Sequence, residues 1–176
     1  MKRLQIILGS SSDLPQCLEG LRHLRWRMSI GEVYVRGVRI NSIHRNTLAA
    51  LWYIVWMWIL SWFGRIHILI IGAGMANQLT GTSEAFLRYF LRSDKLAVIG
   101  VAFAGKTEEA TLAAELSITQ VPGSQVIFHG FVGPDGFLEA CKYAINVPLP
   151  EIKIPAKKPT ANLSFGRAIE LAEKKK

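Results

Sequence analysis

The sequence predicts a three-layer α/β sandwich with a central parallel sheet, of the flavodoxin-like or Rossmann-like kind, followed by a C-terminal extension. Short apolar runs alternate with helix-like segments five times, which is the order that builds a parallel sheet. The runs at 4–8 and 66–71 are predominantly apolar, as expected for strands covered on both faces. A length of 176 residues suits one domain with a sizeable core.

The first strand and the first helix are indicated by the residues at their ends. An apolar run over 4–8 stops at Gly9, which predicts a buried parallel strand. The polar residues 10–13 can cap a helix, and Pro15 suits its first turn. We therefore predict a helix that continues to about Trp26.

An uncharged, tryptophan-rich segment follows the second predicted strand, 32–38. This segment, 47–63, is near the lower length limit for a membrane span. Its four tryptophans are Trp52, Trp56, Trp58 and Trp62. A third strand is predicted at 66–71 after a short link at Gly64, and such a crossover requires its helix to lie on the sheet. We favour a helix buried against the sheet and neighbouring subunits, with membrane contact as the alternative.

The remaining segments continue the alternation of strand and helix. Further strands are predicted at 96–101 and 125–128, and further helices at 77–92, 107–118 and 134–145. Glu108 and Glu109 stand in the first turn of the helix at 107–118, where acidic side chains interact favourably with the helix dipole.

A change of composition marks the end of the α/β domain, which we place at residues 1–146. The prolines that follow predict an extended connector, and they are Pro148, Pro150, Pro155 and Pro159. A short helix is predicted at 162–176. We expect this C-terminal extension, 147–176, to pack on a neighbouring subunit.

Charge and cysteine usage limit the possible partners. The formal net charge is +8, and the excess lies in residues 1–45 and 147–176. Because no continuous basic stripe carries interleaved aromatic residues, we do not expect nucleic-acid binding, whereas a small phosphorylated ligand needs only a local positive site. Cys17 and Cys141 show no metal-binding spacing, so we expect free thiols in a reducing, cytoplasmic compartment and no metal.

Three unusual loops are predicted at the same edge of the sheet, at residues 9–13, 42–45 and 72–81. Each follows a predicted strand, and ligands of parallel α/β sheets bind outside the carboxyl ends of the strands. The second loop brings a hydroxyl, an imidazole and a guanidinium to a strand–helix junction, where free N–H groups favour anions. The sequence therefore predicts a ligand site at this edge.

In these loops the chain resembles the PurE family of purine biosynthesis, which comprises aminoimidazole ribonucleotide carboxylase and N-carboxyaminoimidazole ribonucleotide mutase. The family's Gly-Ser-x-Ser-Asp loop is matched by residues 9–13, and its Ser-Ala-His-Arg loop by 42–45. Its third loop is matched by 72–74 and 79–81. Its Pro-Val-Ile-Gly-Val-Pro and Ser-Ile-x-Gln-x-Pro motifs are similar to residues 97–102 and 117–122.

The resemblance implies an enzyme that places a carboxyl group on the ring carbon of aminoimidazole ribonucleotide. The carboxylase takes the group from carbon dioxide, and the mutase takes it from the amine of the N-carboxy isomer. The resemblance also implies a homo-octamer, and a reaction that needs neither a metal nor an organic cofactor.

The resemblance further implies roles for individual residues. His44 would act as the general acid/base, since imidazole transfers protons near neutral pH. Ser42 and Arg45 would hold the phosphate. Asp13 would accept hydrogen bonds from the ribose hydroxyls. The hydroxyls of the first loop would donate to the phosphate or the carboxylate, and they belong to Ser10 and Ser12.

Glycines and the third loop would complete the substrate site. Gly72 and Gly74 would let the backbone approach the base, because a Cβ atom would crowd it. The other substrate-binding residues implied by the resemblance are Gly9, Ala73, Asn77, Gln78 and Leu79.

Four residues depart from the family pattern. Ile43 replaces an alanine, Ala102 replaces a proline, Gln78 replaces the histidine of the mutase branch, and Met75 replaces the arginine of the carboxylase branch. Two other functions stay open. Gln78 and Ile43, which would both line the base pocket, favour a relative that acts on a different nucleotide-like substrate. The tryptophan-rich segment favours a non-catalytic nucleotide-binding or membrane-associated protein.

Overall fold

The centre of the molecule is a sheet of four parallel strands, which confirms the predicted α/β fold. The computed structural model describes residues 1–74, 78–121, 123–156 and 162–174. The strand order across the sheet is β2-β1-β3-β4. The strands are β1 (Lys2–Leu8), β2 (Val33–Ile40), β3 (Ile68–Ala73) and β4 (Ala97–Ala102).

Helices cover both faces of this sheet. They are α1 (Leu18–Ser29), α2 (Thr47–Trp62), α3 (Gln78–Ala85), α4 (Glu108–Thr119) and α5 (Gly133–Asn146). A last helix, α6 (Phe165–Glu173), contributes no buried residue. A 3₁₀ helix (Ser11–Cys17) precedes α1, and a π-helical turn (Phe86–Phe90) continues α3. One hydrophobic core contains side chains of α1 and α5, and the opposite core contains side chains of α2 and α3.

Side chains of the central strand β3 alternate between the two cores. In β3, Ile68 and Ile70 belong to the core with α1 and α5, while Leu69 and Ile71 belong to the core with α2 and α3. Every residue of β3 and β4 is buried. This double burial explains why β3 and β4 appear in the sequence as apolar runs, whereas the edge strand β2, which is exposed on one side, contains Arg36 and Arg39.

The prediction of a fifth strand at 125–128 is wrong. The segment makes only an isolated parallel bridge between Ile127 and Ile99, and a second bridge joins Val132 to Ala102. The Ile127 N–H donates to the Val98 carbonyl at 2.8 Å, and the Gly100 N–H donates to the Ile127 carbonyl at 3.0 Å. Pairing is then interrupted before a left-handed turn at Gly130 (φ +71°), so no regular strand forms.

Two predicted helices have a more irregular structure than expected. The first begins with the 3₁₀ helix and becomes α-helical only at Leu18. The helix predicted at 77–92 ends in the π-helical turn, where the buried Arg88 guanidinium donates to the carbonyls of Ser93 (2.7 Å) and Leu96 (2.6 Å). These hydrogen bonds attach the end of the helix to the segment that leads into β4.

The tryptophan-rich helix α2 is apolar on both sides but is covered on only one. Ile54 and Met57 are buried against the sheet, as predicted. On the outer side Leu48, Trp52 and Trp56 are exposed. Within the described residues, no helix combines the length and the apolar character needed to cross a membrane.

The first part of the C-terminal extension packs on its own chain. Leu149 and Ile152 contact the core with α1 and α5. The side chain of Gln125 exchanges two hydrogen bonds with the backbone of Lys153. Helix α6 has no buried residue. Its packing on a neighbouring subunit, and the division of the chain at residue 146, stay predictions.

Candidate functional site

A cavity of about 560 Å³ opens at the carboxyl ends of the strands. The strand order reverses between β1 and β3, because β2 pairs with one side of β1 and β3 pairs with the other. The cavity lies at this point, where parallel α/β sheets bind ligands. The Gly9 N–H donates to the Gly72 carbonyl at 2.9 Å, and the Asn41 N–H donates to the Leu8 carbonyl at 2.8 Å. These bonds extend the sheet into the floor of the cavity.

Nine of the residues predicted for the site line this cavity. They are Gly9, Ser10, Ser12, Asp13, Ser42, His44, Ala73, Gly74 and Leu79. Ile43, one of the departures from the family pattern, lines it as expected. Four further residues line it without having been predicted, and these are Gln16, Ala104, Gly105 and Lys106. The three loops singled out in the sequence therefore lie around one space.

The remaining predicted residues are not brought together there. Among the described lining residues, Arg45, Gly72 and Gln78 are absent. Arg45 and Gln78 are exposed, and a Cβ atom on Gly72 would lie 2.5 Å from the Phe103 ring, so this glycine serves internal packing. Asn77 lies outside the described residues.

The first loop forms a capped turn. Ser10 is the N-cap of the 3₁₀ helix, and its Oγ accepts hydrogen bonds from the Ser12 N–H (3.3 Å) and the Ser12 hydroxyl (2.8 Å). The Ser10 N–H in turn donates to Asp13 Oδ2 at 3.0 Å, which completes a capping box. Both serines are exposed, so their hydroxyls are accessible from the cavity.

Asp13 connects the first loop to the third. Its side chain is buried, and burial raises the pKa of its carboxyl group, while hydrogen bonds from the N–H groups of Ser10 and Gly74 act in the opposite direction. Because these donors already engage the carboxylate, Asp13 fixes the loops as well as facing the cavity.

Two glycines at the cavity floor differ in how much space surrounds them. A Cβ atom on Gly9 would lie 2.7 Å from Ala73 Cβ, so the chain can pass there only as glycine. A Cβ atom on Gly74 would meet Asp13 Oδ1 at 3.7 Å, an ordinary contact. Gly9 is therefore required for packing, whereas Gly74 leaves free space beside the cavity.

The second loop is a turn anchored by its apolar residue. The Asn46 N–H donates to the Ser42 carbonyl at 3.0 Å, and the Thr47 hydroxyl donates to the Ile43 carbonyl at 2.6 Å. Ile43 is buried in the core beneath α2. With this anchor, His44 is exposed and lines the cavity, where a ligand can reach its imidazole.

A fourth loop, 104–106, completes the lining. The side-chain amide of Gln16 donates to the Ala104 carbonyl at 3.0 Å, and the Ala104 N–H donates back to Gln16 Oε1 at 2.9 Å. The loop follows β4, and all parallel strands end at the same edge. The signal that could have found this loop is its position directly after the fourth strand.

The lining combines one imidazole, one carboxylate, one ammonium group and several hydroxyl groups. This set can bind an anion and transfer a proton. Within the described part of the chain, no group of three or more His, Cys, Asp or Glu side chains is arranged to hold a metal ion. No protein-family model and no curated protein matches the chain. The family resemblance consequently depends on the motif residues themselves.

Proposed function

We propose that this protein is a PurE-like enzyme that forms carboxyaminoimidazole ribonucleotide. One observation carries the proposal. Residues of the three loops that resemble the family line a single cavity at the carboxyl edge of the parallel sheet, although they are far apart in the sequence. The parallel fold alone brings these loops to one edge, so the support comes from the motif residues within them, such as Ser10, Asp13 and His44, which face the cavity.

The proposed reaction forms a carbon–carbon bond. The ring carbon of the aminoimidazole attacks the carbon of carbon dioxide, the carbon dioxide becomes a carboxylate, and the imidazole of His44 takes up the ring proton. An electron-rich aminoimidazole needs positioning more than activation, so the enzyme contributes chiefly orientation and proton transfer. The mutase variant releases the same carbon dioxide from the N-carboxy isomer inside the cavity.

The lining supports a division of roles. The Ser10 hydroxyl is an accessible hydrogen-bond donor, while the Ser12 hydroxyl donates to Ser10 Oγ at 2.8 Å. The open space beside Gly74 can take a flat base. Asp13 can accept from a ribose hydroxyl in addition to its backbone donors. The homo-octamer is part of the proposal, and the exposed outer side of α2 is the apolar surface that subunit contacts would cover.

The first test is product formation from aminoimidazole ribonucleotide with bicarbonate, run beside the N-carboxy isomer under low carbon dioxide. Turnover only in the first assay identifies a carboxylase, and turnover only in the second identifies a mutase. Replacement of the proposed base, His44→Asn, should lower kcat about 10²- to 10⁴-fold. The matched control is His129→Asn, since His129 is also exposed but does not line the cavity. A near wild-type rate for H44N would remove His44 from the mechanism.

A second candidate is a relative with a different nucleotide-like substrate. Ile43, where the family has alanine, lines the cavity and is larger. If both assays are silent, the variant Ile43→Ala should be tested with the same two substrates. Recovery of turnover would show that Ile43 sets the substrate, and continued silence would favour a different nucleotide.

A further inference from the structure

We propose that Lys106, on the fourth loop, forms an anion subsite that holds the phosphate of the substrate. The identity of the nucleotide rests on the proposed function, whereas binding of a phosphate monoester does not. The sequence resemblance assigns this task to Arg45 and does not include Lys106.

The charge distribution in the cavity supports Lys106. Among the described residues that line it, Lys106 is the one lysine or arginine, and Asp13 is the one carboxylic acid. Arg45 is exposed and outside that lining. A phosphate dianion that enters a partly enclosed space needs a cation beside it, and a lysine ammonium on a flexible stem is suited to this.

The backbone that carries Lys106 is held in place next to the serine loop. Gln16, in the 3₁₀ helix that begins after Ser10, satisfies both the N–H and the carbonyl of Ala104. On the other side, the Gly105 N–H donates to the Thr111 hydroxyl at 2.9 Å. The bonds from Gln16 join the fourth loop to the 3₁₀ helix that Ser10 caps. Ser10 and Ser42 line the same cavity as Lys106, and their hydroxyls could also contact a phosphate.

The N-terminal end of helix α4 does not by itself supply the positive charge that a phosphate needs. Thr107 caps this helix by accepting a hydrogen bond from the Ala110 N–H, and Glu108 and Glu109 occupy its first turn. These carboxylates already compensate the helix dipole. The ammonium group of Lys106 is therefore the group that an anion would meet.

The test measures binding of ribose 5-phosphate and of ribose by calorimetry at low ionic strength. Lys106→Met keeps the length of an exposed side chain and removes its charge, and we expect it to weaken ribose 5-phosphate binding about tenfold to hundredfold. The matched control is Lys142→Met, an exposed lysine on α5 paired with Glu139. K106R should retain most of the affinity. Equal affinities for K106M and wild type, or no wild-type preference for ribose 5-phosphate over ribose, would overturn the subsite.

A second variant tests the attachment. Gln16→Leu removes both hydrogen bonds to Ala104, so it should weaken ribose 5-phosphate binding in the wild type but add little in the K106M background, because the two residues act on one contact. Independent, additive effects would exclude Gln16 as a positioning residue for Lys106.

Kinetics separate this subsite from the proposed function. Absence of turnover, together with ribose 5-phosphate binding that depends on Lys106, would leave the subsite in place and remove the purine reaction. Turnover with an unchanged KM for aminoimidazole ribonucleotide in K106M would remove the subsite and leave the reaction. A raised KM for bicarbonate alone would place Lys106 beside the carboxyl group and contradict the phosphate assignment.

Discussion

Asp13 in the cavity and Glu84 in α3 are both buried carboxylates, but their surroundings serve different purposes. Burial raises the pKa of both groups. Glu84 pairs with the buried guanidinium of Arg88 (Nε to Oε1, 3.2 Å) and accepts from the Gln125 N–H at 3.3 Å. Asp13 is held by backbone N–H groups and faces open space. The partners of Glu84 are all within the protein, whereas the carboxyl group of Asp13 can also be reached by a ligand.

The difference shows how this chain divides its charged residues. The guanidinium of Arg88 faces only protein partners, namely Glu84 and two backbone carbonyls. At the cavity, by contrast, His44 and Lys106 are exposed. We therefore expect substitutions in α3 to change stability and substitutions around the cavity to change binding and rate.

The largest expected effect is on the buried ion pair. Arg88→Met would leave Glu84 buried without its cation, and we expect the free energy of unfolding to fall by about 3–5 kcal/mol. Urea unfolding measures this change. The double variant E84L/R88M removes both charges and should recover part of the loss. By comparison, the free energy of unfolding of H44N should stay within about 0.5 kcal/mol of the wild-type value. A change below about 1 kcal/mol in R88M would show that the pair does not stabilise the fold.

An intermediate effect on stability is expected at the cavity floor, where residues contribute both to packing and to the lining of the cavity. Gly9→Ala would place a methyl group 2.7 Å from Ala73 Cβ, so β1 and β3 must separate locally. We expect a loss of about 1–3 kcal/mol in the free energy of unfolding. Gly74→Ala is the matched variant, because its Cβ would make only ordinary contacts.

The paired measurement separates the two glycines. G74A should unfold within about 0.5 kcal/mol of wild type, while its added methyl group narrows the cavity and weakens ribose 5-phosphate binding. If G9A is as stable as G74A, the close approach of β1 to β3 is not maintained in solution.

The parts of the fold that could be predicted from sequence are those with a local signal. Residues 4–8 and 66–71 gave continuous apolar runs because their strands are covered on both faces. The run at 125–128 carries the same signal, yet it forms only isolated pairing with β4. Sequence periodicity reports burial, and it does not report whether a neighbouring strand supplies a full ladder.

The candidate site shows the same limit. The edge rule predicted which loops meet, and three did, but it could not give the direction of each side chain. In one turn of four residues, Ser42 and His44 line the cavity while Arg45 does not. Lys106 was missed because the fourth loop lacks a familiar motif, although the same edge rule applies to it. The sequence also could not show which side of α2 is exposed, because a helix that is apolar all round gives no sign of which side is covered.

The smallest expected effect is on the pH dependence of stability at Asp13. Because burial raises the pKa of this carboxyl in the folded state, the folded protein binds its proton more tightly than the unfolded chain does. The associated stabilisation is complete below the unfolded pKa, near about 3.9, and is lost as the pH rises through the folded pKa. Asp13→Asn stays neutral and lacks this dependence. The free energy of unfolding of D13N should therefore improve relative to wild type as the pH rises from about 3.5 to 7.

Urea unfolding of wild type and D13N across this range measures the difference directly, and the contribution of Glu84 cancels because both proteins contain it. A difference that moves in the other direction would mean that the N–H donors of Ser10 and Gly74 outweigh burial. Asp13 would then serve to hold the loops together through its backbone donors, as Glu84 holds Arg88, and the contrast between the two carboxylates would disappear. If the free energy of unfolding of D13N instead rises relative to wild type as the pH increases, the carboxylate of Asp13 destabilises the fold. Such a cost in stability is expected of a group retained for a ligand.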